Sequence, residues 1–336
     1  MTRDSSPPFE AIAQAIAAHQ TFLIAAHVGP DGDAIGSCLA LSYALKALGK
    51  KAWVVSSDGV PASCRFLPGV NDVLHAPPGQ PECAIVLDCD GTRDRVASPY
   101  APIQKARSRV LIDHHRTSKP IFEVNWLDPA QSATSLMIWE LLKYLQTDFT
   151  PQIAQCLLCG LSTDTGNFRF PNTSARALLA ASQLVEAGAD LALIAFKLFD
   201  ERSVESTRLM ATAIDKMEVE NGGRLTWSAL TLDDFARTRV GDEGTDNVVN
   251  VLRNVRGARM AILLRERMDE TGPVAHASAR AEAALRADLF CGLFGGGGHA
   301  AAAGFRIRNA PFEASVKRVV EAAKLWVEQQ HPAPEA

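Results

Sequence analysis

No uninterrupted apolar stretch in this chain approaches the roughly 20 residues that a helix needs to cross a bilayer. The first 20 residues carry Asp4 and Glu10 and lack a hydrophobic block followed by a cleavage signal, so a cytoplasmic protein with no membrane partner is expected. Positive charge is not in excess either: the net charge is −4. That argues against binding long duplex nucleic acid through many phosphate contacts, and leaves room for a small anion in a local pocket. The seven cysteines are odd in number and scattered, without a disulfide framework, as suits a reducing compartment. Cys156 and Cys159 form one CxxC with no second pair, inside the apolar helical pattern PQIAQCLLCGLSTD; buried thiols are expected there rather than a zinc or redox site. No fixed-period repeat occurs, and only the terminal HPAPEA has the composition of a disordered tail.

What is present suffices for two domains, each with its own core, in 336 residues. Through the first half, short apolar runs (TFLIAAH, KAWVVSS, CAIVLDCD, RVLIDHH) alternate with helical patterns such as AIGSCLALSYALKALGK. This predicts an α/β protein whose N-terminal, mostly parallel sheet is flanked by helices. Further helices are expected over about 134–145, 151–161 and 174–187. From 188 to 217 the pattern is helical and increasingly charged, with no sheet signal. The expected layout is therefore a first domain at 1–190, a helical linker at 191–217 and a smaller C-terminal α/β domain at 218–330. The last would hold strands near GRLTWSAL, ARMAILLRER, VAHASAR and GFRIR and a closing amphipathic helix from Pro311 to about Gln329.

In open α/β sheets, ligands sit beyond the carboxyl ends of the strands, so polar residues that end apolar strands share a neighbourhood. TFLIAAH ends in His27 and leads to Asp31 and Asp33; AIVLDCD ends in Asp88 with Asp90; VLIDHH ends in Asp113, His114 and His115; Asp164 follows in LSTDTGNF. A single aspartate at a strand end is usually a turn or cap residue. Four such clusters without a counter-cation would raise one another's pKa values and cost several kcal/mol. A pair of divalent metal ions removes the conflict, and carboxylates mixed with imidazoles favour Mn²⁺, with Co²⁺ or Zn²⁺ next, over Mg²⁺. Two ions roughly 3.5 to 4 Å apart suit hydrolysis of phosphate esters. In HVGPDGDAIGS the spacing of Asp31 and Asp33 lets one loop address both ions, with His27 completing the first; Gly29, Gly32 and Gly36 are expected to keep that loop compact and open to ligand.

A second signal is FGGGGHAAAAGF, residues 294–305. Gly295 to Gly298 fit neither helix nor strand preference, and successive N–H groups in such a turn can form an anion-binding nest. His299 and an Ala run read as the start of a helix strengthen the phosphate reading. Between Val251 and Ala310 there are nine Arg against five Asp or Glu, a local basic excess in an acidic protein. Ser278 and Arg280 alternate in HASAR and would share one strand face.

Taken in order, HVGPDGDAIGS, VLDCD, DHH at 113–115 and STDTGNF resemble the four motifs of the DHH phosphoesterases, and GGGGH resembles the signature of the C-terminal domain that accompanies them. The resemblance runs from about residue 10 to 310 and is greatest, in length and domain pairing, to members acting as oligoribonuclease and pAp phosphatase. It implies that His27 and Asp31 bind one metal ion, that Asp33, His114 and Asp164 bind the other, and that Asp88 bridges them. Asp113 is then a carboxylate orienting a ligand imidazole, and His115 faces the scissile phosphate. Ser278, Arg280, the backbone of Gly296, Gly297 and Gly298, and His299 would hold the far phosphate or terminal nucleotide, with Asn250 and Arg253 facing a cleft between the domains.

Three departures from the family pattern, Ala300 after GGGGH, SARA in place of SLRS, and Leu136, touch no implied metal ligand. The first two bear on which nucleotide end is gripped. The expected function is a phosphoesterase dependent on two divalent ions, Mn²⁺ first, acting on short RNA, a dinucleotide or the mononucleotide pAp, with a homodimer compatible with the sequence. The competing readings are a cyclic or linear dinucleotide phosphodiesterase, a RecJ-type single-strand exonuclease, a family II pyrophosphatase and a non-hydrolytic nucleotide sensor.

Overall fold

Strand β1 (Thr21–Ala25) is buried along almost its whole length rather than on alternate residues, which is how a strand covered on both faces reads. The computed structural model describes residues 7–240, 245, 247–270 and 272–330. Two units part between Glu201 and Arg202.

In the first unit the order is α1 (Phe9–Ala18), β1, α2 (Gly32–Ala47), β2 (Lys51–Val55), β3 (Cys83–Leu87), α3 (Tyr100–Gln104), β4 (Ser108–Asp113), β5 (Val124–Leu127), α4 (Thr134–Tyr144), α5 (Pro151–Asp164), α6 (Ala175–Glu186) and α7 (Leu191–Ala195), which runs into a π-helical turn at Phe196–Asp200. The five strands are all parallel in the order β2-β1-β3-β4-β5. Phe22, Ile24, Ile85 and Ile112 face the larger core beneath α1, α2, α4 and α5, while Leu23, Val86 and Leu111 face a smaller one with Ile103 of α3. Each such side chain contributes about 1.5–3 kcal/mol by burial. The chain runs from β1 out to β2, then returns to β3 on the other side of β1. The strand order therefore reverses beside β1 and β3, and it is beyond the carboxyl ends of strands at such a reversal that open α/β sheets take their ligands.

The second unit contains α8 (Val204–Asp215), β6 (Glu218–Glu220), β7 (Leu225–Leu230), α9 (Leu232–Thr238), α10 (Val248–Arg253), β8 (Met260–Asp269), β9 (Gly272–Ala281), α11 (Ala287–Gly292), β10 (Gly297–His299), β11 (Ala302–Arg308) and α12 (Phe312–Gln330). Its sheet, β10-β11-β9-β8-β7-β6, is antiparallel apart from the β7–β8 pair. One face packs on α11 and α12 through Ile262, Ala277, Ala279, Phe290 and Val319, and the other packs in part on α8, α9 and α10 through Leu263, Leu230 and Leu252. The α/β class expected from the sequence holds.

One local expectation fails, and one strand went unforeseen. The Ala run after GGGGH starts no helix; it leads into β11, where Ala302 pairs with both His299 and Arg280. Small residues suit this strand because Ala303 and Gly304 lie in register with the equally small Ala279 and Ser278 of β9. The strand β5, VNWL, has too short a pattern to be anticipated. Cys156 and Cys159 are buried free thiols, and among the described residues no single helix is long and apolar enough to cross a membrane.

Candidate metal centre

His27 lies two residues past β1, where an isolated bridge to Val96 holds the chain. Gly29 then turns with φ +61° and donates its N–H to Asp58 Oδ2 at 2.6 Å. Asp31 caps α2, its Oδ1 accepting from the N–H groups of Asp33 (2.9 Å) and Ala34 (3.1 Å). Asp33 is already helical, which revises the single-loop expectation: one carboxylate caps the helix and the other projects from its first turn. Gly32 and Gly36 also belong to α2, and they serve a different purpose from the one expected. A methyl group on either would collide with α5, at Thr163 and at the carbonyl of Cys156 respectively. Their bareness lets α2 and α5 touch, and α5 ends at Asp164.

Asp88 follows β3 and stays tied to β4 by its N–H to Ile112 O (3.0 Å). Its φ of +58° is left-handed, a conformation that Asp tolerates better than most residues but that still costs on the order of 1 kcal/mol. The residue is 2% exposed. It reaches His27 Nε2 with Oδ2 at 3.5 Å and His114 Nε2 with Oδ1 at 3.6 Å. His27 Nε2 is 3.8 Å from Asp31 Oδ1, and His114 Nε2 is 3.0 Å from Asp164 Oδ2. Among the described residues, His27–Asp31–Asp88, Asp33–His114–Asp164 and Asp88–His114–His115 each bring their potential ligand atoms within 4.8 Å of one another. All six residues expected to bind metal are thus gathered at one place.

Both ring orientations leave Nε2 facing the acids. His27 Nδ1 donates to Val28 O at 3.0 Å and His114 Nδ1 to Gln131 O at 3.3 Å. Asp113 does not orient either of them, contrary to expectation; it is wholly buried and accepts from His115 Nδ1 at 2.7 Å, from the His115 N–H at 3.2 Å and from Ser118 Oγ. The backbone carbonyls take the role foreseen for it.

The electrostatics express crowding. Burial, then the charges of Asp88 and Asp164, push Asp33 well above the ordinary carboxylate range. Burial with Asp88 and Asp31 as neighbours raises Asp164 to about 6, even though His114 opposes it. Burial lowers the basicity of His27, but Asp31 and Asp88 outweigh it and take the ring up to about 11; His114, against the same burial, rises to about 10 beside Asp164. The hydrogen bond to Asp113 raises His115 as well. An oxygen and nitrogen donor set in which Asp33 and Asp164 resist ionising while His27 and His114 hold protons is one that a divalent cation would relieve. The residues fit such an ion.

Several contributors had gone unforeseen. Thr134 N–H and Ser135 N–H donate to Asp33 Oδ2 (2.7 Å) and Oδ1 (2.9 Å), so Asp33 caps α4, whose own cap residue Ala133 has no side-chain acceptor. Thr134 Oγ1 donates to Asp88 Oδ1 at 3.0 Å. Gly160 packs flat against Asp33 and Ser135. A Thr-Ser pair opening a helix was the available signal, but its partners Asp88 and Asp33 lie 46 and 101 residues from Thr134.

In the second unit, Arg280 Nε donates to Asn250 Oδ1 at 2.9 Å, and Ser278 Oγ accepts from Arg265, a residue the sequence had not singled out, at 2.7 Å. Arg253 is engaged elsewhere, donating to Ala258 O and lying 3.6 Å from Glu282. Gly297 pairs with Gly304, which in turn pairs with Ser278. Gly296 and Gly298 have a steric cause: a methyl group on Gly298 would lie 2.6 Å from Ala302 O, and one on Gly296 would meet the Gly304 carbonyl, whereas Gly297 faces open space. The side chain of His299 lies outside the described residues.

Residues 21–161 match the DHH family, N-terminal domain. Over 305 residues, 90% of this chain and 88% of the relative, the sequence is 35% identical to a Thermus thermophilus protein named bifunctional oligoribonuclease and PAP phosphatase NrnA. A Bacillus subtilis protein of the same name is 26% identical over 307 residues, 87% of this chain and 91% of that one. In fold, the crystal structure of an exopolyphosphatase-related protein from Bacteroides fragilis matches with a TM-score of 0.84 at 21% identity, covering 96% of this chain and 95% of the other.

Proposed function

The chain belongs to the DHH family, and from that membership we propose that it is a divalent-metal-dependent phosphoesterase hydrolysing short oligoribonucleotides, dinucleotides or 3′-phosphoadenosine 5′-phosphate. The observation that carries the reading is the position of Asp88, 3.5 Å from His27 and 3.6 Å from His114, one oxygen toward each ligand group. His27 and Asp31 would hold one ion, Asp33, His114 and Asp164 a second, and Asp88 both; Mn²⁺ is the ion that this mixture of carboxylate and imidazole favours. When bound, such ions supply a nucleophile near neutral pH and charge neutralisation for the phosphoryl oxygens.

The protein's own groups do the rest. His115 donates Nδ1–H to Asp113, which fixes its tautomer and favours the imidazolium, so Nε2 is available to donate to a non-bridging or leaving oxygen of the phosphate. Ser118 holds the other oxygen of Asp113 and keeps the pair aligned. Asn250, Ser278, Arg280 and the backbone at Gly297 would hold a second phosphate or the terminal nucleotide, with Gly296, Gly298 and His299 completing that segment. The substrate class is supported by the name of the Thermus thermophilus relative and by the net charge of −4, which disfavours long polyanions.

Hydrolysis of pAp, pApA, pGpG, cyclic dinucleotides and RNAs of increasing length under Mn²⁺ and under Mg²⁺ tests the reading. Mononucleotide release from the short linear substrates, abolished by Asp88→Ala, is the expected result. Turnover that survives exhaustive removal of metal would overturn it.

A further inference from the structure

A carboxylate that serves two cations must keep its plane fixed, since a rotation about its terminal bond that improves one ligand distance worsens the other. The backbone of Asp88 is tied to Ile112, but that tie does not set the torsion of the side chain. The hydroxyl of Thr134 does, donating to Asp88 Oδ1 at 3.0 Å. Thr134 is wholly buried, so no water competes for either group. The same residue's N–H donates to Asp33 Oδ2 at 2.7 Å, and that of Ser135 to Asp33 Oδ1 at 2.9 Å. The first turn of α4 therefore meets a carboxylate from each of two other segments.

We propose that Thr134 is the positioning residue of the centre: its hydroxyl fixes the carboxylate plane of Asp88, while its backbone N–H fixes Asp33. This rests on the metal-centre reading above. Thr134 touches neither substrate nor cation, and it acts through the two aspartates. Its two tasks are separable, because substitution of the side chain removes the hydrogen bond to Asp88 and leaves both amide donors to Asp33 in place.

The test compares Thr134→Val, which keeps the shape and loses the hydroxyl, with Thr134→Ser, which keeps the hydroxyl, in the full-length protein. Mn²⁺ titration calorimetry and Mn²⁺ electron paramagnetic resonance are read beside kcat and KM. Thr134→Val is expected to weaken Mn²⁺ binding by about 10- to 100-fold, to lose the spin-coupled signal of a paired centre, and to lower kcat with KM nearly unchanged. Thr134→Ser is expected to retain all three. Wild-type Mn²⁺ affinity and coupling in Thr134→Val would overturn the proposal, as would a Ser variant as defective as the Val one. Should the Val variant fail to fold, Thr134→Ala replaces it, and equal Mn²⁺ binding by Ala and Ser variants would overturn it. If the wild-type protein itself bound no Mn²⁺, the metal-centre reading would fall first, a result distinct from any difference among the variants.

Discussion

Gly160 of α5 and Asp33 of α2 meet so closely that a methyl group added to the glycine would lie 2.5 Å from Asp33 Oδ1. The glycine is thus part of the wall that holds a proposed ligand. Gly160→Ala should gain the roughly 1 kcal/mol of helix propensity that alanine carries over glycine and lose more, about 1–3 kcal/mol, to overpacking against Asp33 and Ser135. A lower melting temperature and Mn²⁺ affinity reduced at least about tenfold are expected. Unchanged calorimetric affinity would show that Asp33 has room to move.

Metal uptake should release protons. With His27 pushed up to about 11 and His114 to about 10, both rings are charged at neutral pH in the metal-free protein and must lose a proton to ligate. The two rings alone should release about two protons per centre filled, any proton held on Asp33, whose carboxyl is pushed well above its ordinary range, adds to that, and affinity should rise with pH. Titration calorimetry in buffers of different ionisation enthalpy gives the count; a value near zero contradicts it. Because both folded-state values lie above the ordinary histidine value, their stabilisation of the metal-free fold is complete below about pH 6.5 and is lost as pH rises toward 10 to 11. The loaded protein should lack that alkaline decline.

Asp113 raises the basicity of His115 through the 2.7 Å hydrogen bond. If imidazolium is the active form, activity falls as pH rises through its pKa. Asp113→Asn should then move the alkaline limb of the kcat/KM profile to lower pH while leaving Mn²⁺ stoichiometry intact. A limb that stays in place would remove His115 from proton donation.

Arg280 and Arg253 should separate in their effects. Arg280→Ala is expected to weaken binding of a short nucleotide by about 1.5–3 kcal/mol, the loss of a charged hydrogen bond, without altering Mn²⁺ binding. Arg253→Ala, whose guanidinium is engaged with Ala258 and Glu282, should leave KM close to wild type. Equal increases in KM would show that both arginines reach substrate.

The candidate ligand clusters were legible because they end or closely follow apolar runs, and strands buried on both faces read as continuous hydrophobic stretches. The pattern offered whole clusters, and the choice of Asp88 over Asp90 and of His114 over Asp113 and His115 rested on the family resemblance. What lay beyond reach was tertiary. Gly32 and Gly36 look like loop glycines until α5 is laid against them, and Asp113 could not be matched to His115 rather than to a ligand ring without coordinates. The Ala run at 300–303 carries helix propensity, which pairing with β9 overrides. Thr134 announced a helix start, but its acceptors on α2 and after β3 leave no local trace.

Asp33 rides on α2 and Asp164 ends α5, and bare glycine backbone sets how near those two rods lie. The crossing therefore works as a spacer gauge. Thickening it by one methyl group would widen the proposed cage without replacing any donor, so the ionic radius such a cage would prefer is written partly in residues outside the donor set.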